Sequence, residues 1–449
     1  MTDPIWRWVA GVWAAIHVED QGAYSIERLE TLSTFASDTS RTRVTAILLL
    51  TPVPAALITL SIELVQLQDP SKGVDGNGMF WLRGFLFVFV VNFAVLAQAR
   101  AIILRLPMTN RQLVMFAAIT TAGAVASTYA LALVIGFPLP FTLLCGSPAC
   151  SALLLIYGAV LWRKFLSDNP RERRELWSYV LVVANQLVMT YVYPGYLFVF
   201  QQLAPIYLAA ATVFMPAIKL AMKIWIGYVF RGKDDLKPEM IVFNAEIYHA
   251  LFISWCLQGA FSPYAIAGII TIDLVEAVVM ARSIEASRRE IYAVIDRTAS
   301  RKRGVARASS VPLLRLALLL WQDDPTIYGD KVRVGSYQSR PSVASITPIV
   351  PLAGSWHSGK LVVAPTTGSV GHLPGSRCLR SMAQPTRPCS DSELLGLIRR
   401  MPHADRRLVL TQTLKVLHVT EFLLLVEYTE VIVPFVYCTA SIIAFLFGM

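Results

Sequence analysis

Between Val44 and Arg282 the chain carries eight long apolar stretches, roughly 44–67, 82–104, 112–135, 141–162, 177–200, 205–230, 241–262 and 264–281. The connections between them are alternately rich in lysine and arginine and nearly free of them. Most stretches reach the roughly 20 residues that a helix rising about 1.5 Å per residue needs to cross a hydrocarbon core about 30 Å thick. Lipid offers no partner to backbone N–H and C=O groups, so a spanning segment must be a helix or belong to a closed barrel. These runs are too long for the alternating strands of a barrel. The expected fold class is therefore all-α, a polytopic helical membrane protein with about eight to nine transmembrane helices, and the lipid bilayer is its first partner.

Basic connections tend to stay on the cytoplasmic side of a membrane. The residues before the first stretch carry Arg7, Arg28, Arg41 and Arg43, and the second connection carries Arg100, Arg105 and Arg111. The fourth carries Arg163, Lys164, Arg171, Arg173 and Arg174; the sixth carries Arg231, Lys233 and Lys237. Arg282, Arg288, Arg289 and further arginines follow the eighth, whereas the first connection has only Lys72 and the border residue Arg83. This alternation predicts a cytoplasmic N-terminus in a multi-pass protein, and leaves plasma membrane and endomembrane equally open. A net charge of +10 could point to nucleic acid, but the basic residues lie mainly on one membrane side, where an anionic leaflet accounts for them. No nucleic-acid partner is expected.

With 55% hydrophobic and 16% charged residues and a mean hydropathy of +0.54, the composition excludes a soluble enzyme of this length. Residues 1–43 form a cytoplasmic N-terminal segment in which Ile5, Trp6, Trp8, Val9, Val12 and Trp13 cluster, either as an interfacial anchor or as a helix packed on the protein. Residues 44–281 are the eight-helix transmembrane domain, and residues 282–322 a basic juxtamembrane region. Residues 323–392 turn to Ser, Gly, Pro and Arg, a composition that cannot bury enough apolar surface to offset chain entropy, and are expected to form a disordered cytoplasmic insertion. The alternative to a transporter- or channel-like protein is a non-transporting scaffold or receptor-like protein that recruits cytoplasmic partners through this insertion. Structure should resume with Asp391 as N-cap of a helix over 392–401, followed after Pro402 by an amphipathic run over 405–430 and a last apolar segment over 431–447. Of the six cysteines, Cys145 and Cys150 are read as small lipid- or helix-facing residues rather than a disulfide.

The strings Arg28-Leu-Glu-Thr-Leu, Thr39-Ser-Arg-Thr-Arg43, Thr51-Pro-Val-Pro54, Asp69-Pro-Ser and Phe80-Trp-Leu-Arg83 resemble the opening of a large uncharacterised family of multi-pass transmembrane proteins from oomycete genomes. Asp168-Asn-Pro, Phe243-Asn-Ala-Glu246 and Leu424-Leu-Val-Glu-Tyr-Thr-Glu430 with Val433-Pro434 are similar in kind. The resemblance implies a membrane architecture and brings no activity, cofactor or binding residue with it.

Ionisable groups inside a bilayer are costly enough that each is a functional candidate. Lys219 and Lys223 lie one turn apart on the sixth stretch, Glu246 and His249 three residues apart on the seventh, and Asp273 and Glu276 three apart on the eighth. Counted from the cytoplasmic ends, Glu246 and Glu276 lie about 7 Å deep, and His249 and Asp273 about 12 Å, with the lysines at comparable depth. These six residues are expected to form one polar cluster. It reads either as an ion, proton or small-molecule site, with His249 titrating near neutral pH, or as interhelical ion pairs with snorkelling lysines that fix helix register.

A second candidate region comprises Pro194, Gly195, Pro205 and Pro216 as helix breakers, with Asn185, Gln186, Gln201 and Gln202 adding polarity toward the non-cytoplasmic half. Glu421, Glu427 and Glu430 read as an interfacial amphipathic face. Glu246 and His249 have the Glu-x-x-His spacing of di-iron bundles, but the motif occurs once where such centres need it twice. No metal or other cofactor and no catalytic residue is expected, since no phosphate loop, paired Cys-x-x-Cys, zinc-helix or nucleophile-elbow motif occurs.

Overall fold

Long apolar sequence without lipid-compatible alternatives to the helix makes helices, and among the described residues every element is one. The computed structural model describes residues 22–103, 105–202, 214–258, 263–299, 311–328 and 390–446. In chain order the helices are α1 (Ile26–Asp38), α2 (Arg41–Leu50), α3 (Val53–Glu63), α4 (Gly78–Ile102), α5 (Asn110–Ile135), α6 (Thr142–Leu161), α7 (Arg163–Asp168) and α8 (Pro170–Gln202). There follow α9 (Phe214–Val229), α10 (Lys237–Ile241), a π turn (Val242–Glu246), α11 (Ile247–Gln258), α12 (Pro263–Ala299), α13 (Leu313–Asp323), α14 (Asp391–Ile398) and α15 (His403–Leu446).

The described residues fall into two units, one within Met1–Tyr24, Asp38–Ala286 and Lys415–Met449, the other within Ser25–Ser37 and Ser287–Leu414. Six helical segments are long and apolar enough to cross a membrane: Arg41–Glu63, Gly78–Ile102, Asn110–Ile135, Thr142–Leu161, Pro170–Val199 and His403–Thr439. Together they fit an integral membrane protein. Their surfaces support that reading, because Leu49, Leu50, Val134, Phe198, Leu424 and Phe435 are exposed, which water would penalise and lipid does not. The first five correspond to the first five expected stretches; 205–230 and 241–262 are described only in part, and 264–281 lies within α12.

The first unit is knit by small and polar contacts of the kind that hold helices together where burial from water provides no drive. An ideal Cβ on Gly123 would stand 2.8 Å from Leu153 Cδ1, and one on Gly146 2.8 Å from Thr128 Oγ1, so α5 and α6 approach as closely as glycine permits. Buried Asn92 of α4 donates to Thr120 Oγ1 (3.3 Å) and Thr121 Oγ1 (3.1 Å) of α5 and accepts from Cys150 Sγ of α6 at 3.2 Å. Cys145 and Cys150 are free thiols, and Cys150 faces a neighbouring helix. Helix α5 starts on a capping box, in which Thr109 Oγ1 accepts from the Gln112 N–H and Gln112 Oε1 accepts from the Thr109 N–H. It stops at Gly136, whose φ of 114° a side chain would resist.

Two features of the C-terminal part differ from expectation. The segments expected over 405–430 and 431–447 are one helix, α15, because Glu427 and Glu430 lower hydropathy without interrupting helical backbone, and Pro434 is accommodated within it. The N-cap of α14 is Ser390 rather than Asp391: Ser390 Oγ accepts from the Glu393 N–H, and Glu393 reciprocates to the Ser390 N–H, leaving Asp391 as the first helical residue.

In the second unit, α13 buries Leu316, Leu318, Leu319 and Leu320, while α14 buries Leu394, Leu397 and Ile398. The expected basic region 282–322 thus contains an ordered apolar helix, α13, and α12 runs on through Ala299. Arg315 of α13 holds Asp391 bidentately at 3.0 and 2.7 Å, and Arg406 Nη1 holds Asp323 at 3.0 Å. The expected disordered insertion lies mainly, at 329–389, outside the described residues, as do the tryptophans of residues 1–21.

The side-chain bond from Arg315 holds the Asp391 carboxyl below its ordinary value of 3.8. A carboxyl depressed in the folded state contributes stability above its ordinary value and loses it as pH falls through the folded value. Hydrogen exchange of the amides of 390–398 should therefore be slower in the natural chain than in Arg315→Ala near neutral pH, with the difference vanishing well below pH 3.8. Equal protection of the two near neutral pH would contradict this.

Candidate functional site

Lys219 and Lys223 recur four residues apart on α9, so helical periodicity points both the same way. Both are buried, at 2% and 1% exposure, an arrangement tolerable for ammonium groups only beside opposite charge. That charge comes from three other elements. Lys219 Nζ lies 3.0 Å from Glu246 Oε2 at the end of the π turn, 3.2 Å from Glu276 Oε2 and 3.8 Å from Asp273 Oδ1 of α12, and 3.6 Å from Glu430 Oε1 of α15. Lys223 Nζ lies 2.6 Å from Glu246 Oε1 and 2.5 Å from Glu276 Oε1. Both Glu246 oxygens are shielded from solvent, and their compensation is these close ammonium contacts rather than well-aligned hydrogen bonds.

The backbone that presents Glu246 is unusual. Over Val242–Glu246 the helix widens to a π turn, closed by the Ile247 N–H donating to the Val242 carbonyl five residues back. Such turns occur mostly as single interruptions of α-helices, frequently at functional sites. Buried Asn244 lines this one: its amide donates to the Met240 carbonyl (2.6 Å) and its oxygen accepts from Gln186 Nε2 (2.5 Å) of α8. Asn185 Nδ2 donates to the Met222 carbonyl at 3.3 Å, beside Lys223.

Of the six expected residues, Lys219, Lys223, Glu246, Asp273 and Glu276 come together as ion pairs. His249 does not join them: its Nδ1 bonds the Tyr193 hydroxyl at 3.0 Å, within a group where Tyr193 also stacks on Tyr248 and meets Phe252. Glu430 was missed. The expected amphipathic face of Glu421, Glu427 and Glu430 is instead three separate environments: Glu430 pairs with Lys219, Glu421 accepts from the Tyr24 hydroxyl at 2.6 Å, and Glu427 is exposed. Spacing on a helix says which residues share a face, not what the face meets; the only available signal was three glutamates on a largely apolar helix.

The second candidate region is also rearranged. Helix α8 continues unbroken through Pro194 and Gly195 to Gln202, so the discontinuity lies in the π turn. Asn185 and Gln186 point to Met222 and Asn244, beside the lysine–carboxylate cluster rather than away from it. Pro216 stands in the first turn of described α9, and Pro205 and the Gln201 side chain lie outside the described residues.

Two ammonium groups face four carboxylates, leaving a formal excess of two negative charges when all are ionised. Glu246 is sealed, whereas Asp273, Glu276 and Glu430 keep 26%, 31% and 29% of their side chains exposed. Hydrocarbon cannot solvate exposed carboxylates, so their open side requires water or another polar group. Among the described residues no three His, Cys, Asp or Glu side chains are arranged to hold a metal ion. A shallow, open recess over His403, Arg407 and Thr411 is well removed in sequence from these charges and shares no residue with them.

No protein-family model, curated protein or solved structure matches the chain.

Proposed function

We propose that this chain is a transporter- or channel-like membrane protein, its N-terminus cytoplasmic, which moves an ion or small charged solute past the cluster of Lys219, Lys223, Glu246, Asp273, Glu276 and Glu430. The observation that carries this reading is the graded exposure of a single charge network: a sealed Lys223–Glu246 pair continuing into half-open carboxylates on α12 and α15. The network also holds two carboxylates more than it has ammonium groups, which register-fixing ion pairs alone do not call for. His249, braced by Tyr193, supports the wall of the site rather than its charge.

Purified protein in liposomes should pass H⁺, Na⁺ or K⁺ faster than protein-free liposomes under an imposed gradient. Glu246→Gln, which keeps size but releases both lysines from their buried partner, should cut that flux about tenfold or more, a loss of roughly 1.4 kcal/mol or more in barrier terms. Wild-type flux in this variant, or no flux in the natural chain, would sink the reading.

A second reading, a membrane scaffold recruiting cytoplasmic partners, is favoured by one observation: helices on both sides of residues 329–389 pack in one unit and are pinned by Arg315–Asp391 and Arg406–Asp323. Deleting 329–389 separates the two, since a scaffold loses its partners and a transporter keeps its flux.

A further inference from the structure

The four carboxylates of the cluster are not equivalent. Glu246 and Glu276 each approach both lysines, at 2.5 to 3.2 Å, so two positive charges balance two negative ones at contact distance. Asp273 and Glu430 have Lys219 as their ion-pair partner among the described residues, at 3.8 and 3.6 Å, beyond ordinary hydrogen-bond length. They approach the same nitrogen from different helices, α12 and α15, and both remain about a quarter exposed. The excess negative charge of the network therefore resides at this pair.

Resting on the transport reading above, we propose that the species the site carries is the proton, and that Asp273 and Glu430 are the two groups that load and release it. Asp273 and Glu430 share one ammonium that Glu246 and Glu276 approach more closely, and a proton neutralises the charge left over without a coordination shell. A metal ion would need several oxygen ligands around it; here the Lys219 ammonium occupies the point where these carboxylates converge, and no metal-holding group of three side chains exists among the described residues. In the loading step a hydronium ion gives its proton to an Asp273 or Glu430 oxygen: one hydronium O–H bond breaks, one carboxyl O–H bond forms, and a water molecule is left. On release that bond breaks, water takes the proton, and the carboxylate left behind is drawn to Lys219. The charged and titratable groups facing the pair are Lys219 and Lys223 on α9, Glu246 on the π turn and Glu276 on α12. Because the two acids sit on different helices, each proton changes the attraction between α9 and either α12 or α15. Loading is thereby coupled to helix packing.

The test is dye-reported proton entry into liposomes holding the full-length chain, with a potassium gradient and ionophore setting the voltage. Asp273→Asn and Glu430→Gln should each lower proton flux at least about tenfold, a change of roughly 1.4 kcal/mol in barrier. Asp273→Glu and Glu430→Asp, which keep a carboxyl, should retain most of it, as should Glu427→Gln, an exposed glutamate on the same helix. Natural proton flux in both Asp273→Asn and Glu430→Gln overturns the proposal. Loss of flux that the carboxyl-keeping variants equally show also overturns it, because the role is then structural. Na⁺ or K⁺ flux without proton flux in the natural chain overturns the proton assignment alone, whereas no flux of any of the three overturns the transport reading as well.

Discussion

Lys219→Met should destabilise the protein by about 3–5 kcal/mol, the usual result of removing one partner from a buried ion pair and leaving the other charge uncompensated. Methionine fills nearly the same volume, so cavity formation contributes little and the loss is electrostatic. The substitution leaves Glu246 with Lys223 alone and deprives Asp273 and Glu430 of their ammonium partner. Adding Glu246→Gln to Lys219→Met should recover part of the loss, because it removes a buried charge that no longer has full compensation. Thermal unfolding in detergent of the natural chain, the two single variants and the double variant measures the coupling directly. A Lys219→Met protein within about 0.5 kcal/mol of the natural chain, the range of ordinary surface changes, would show that the network carries no such strain.

Deletion of Phe243 should have a comparable effect by a different route. Phe243 is exposed and lies inside the π turn, so its side chain contributes little packing while its backbone supplies the extra residue of the wide turn. Removing it lets Val242–Glu246 close as ordinary α-helix, which turns everything beyond it by about 100° relative to α10. Glu246 and His249 then cannot face both Lys219 and Tyr193 while α10 keeps its place. Both the thermal stability and the flux expected of the natural chain should fall sharply. Phe243→Ala, which changes the side chain and keeps the register, should do neither. If the deletion behaved like Phe243→Ala, the π turn would have no part in positioning the site.

How far the site was readable in sequence depended on what each residue's placement required. The pairing of Lys219 with Lys223, and of Asp273 with Glu276, follows from helical periodicity alone, and counting residues from the polar ends of the apolar stretches put them at matching depth. Nothing of that kind reveals Glu430, because its membership depends on α15 packing against α9, a contact across more than two hundred residues that no local pattern encodes. The π turn has no compositional mark either: Val242-Phe-Asn-Ala-Glu246 is unremarkable helix-compatible sequence, and the widening shows only in its backbone bonds. His249 shares the expected face with Glu246, but Tyr193 offers a nearer partner that spacing on one helix cannot anticipate. At the level of fold, the apolar stretches were legible because lipid demands length and hydropathy of each helix by itself. Helix α13 was not, since an eleven-residue helix with eight apolar residues beside a basic region is too short to cross a membrane and satisfies no such demand alone.

Tyr24 bonds Glu421, 397 residues away, and its ring lies edge-on to buried His418, against which Gly22 is packed too closely for any side chain. Lys219 likewise waits for Glu430. A chain made from its N-terminus forward therefore already carries Lys219, Lys223, Glu246, Asp273 and Glu276, two ammonium groups and three carboxylates, before the last helix has been synthesised. Arrival of α15 then adds the fourth carboxylate, raising the formal excess from one negative charge to two, together with the residues that clasp Tyr24.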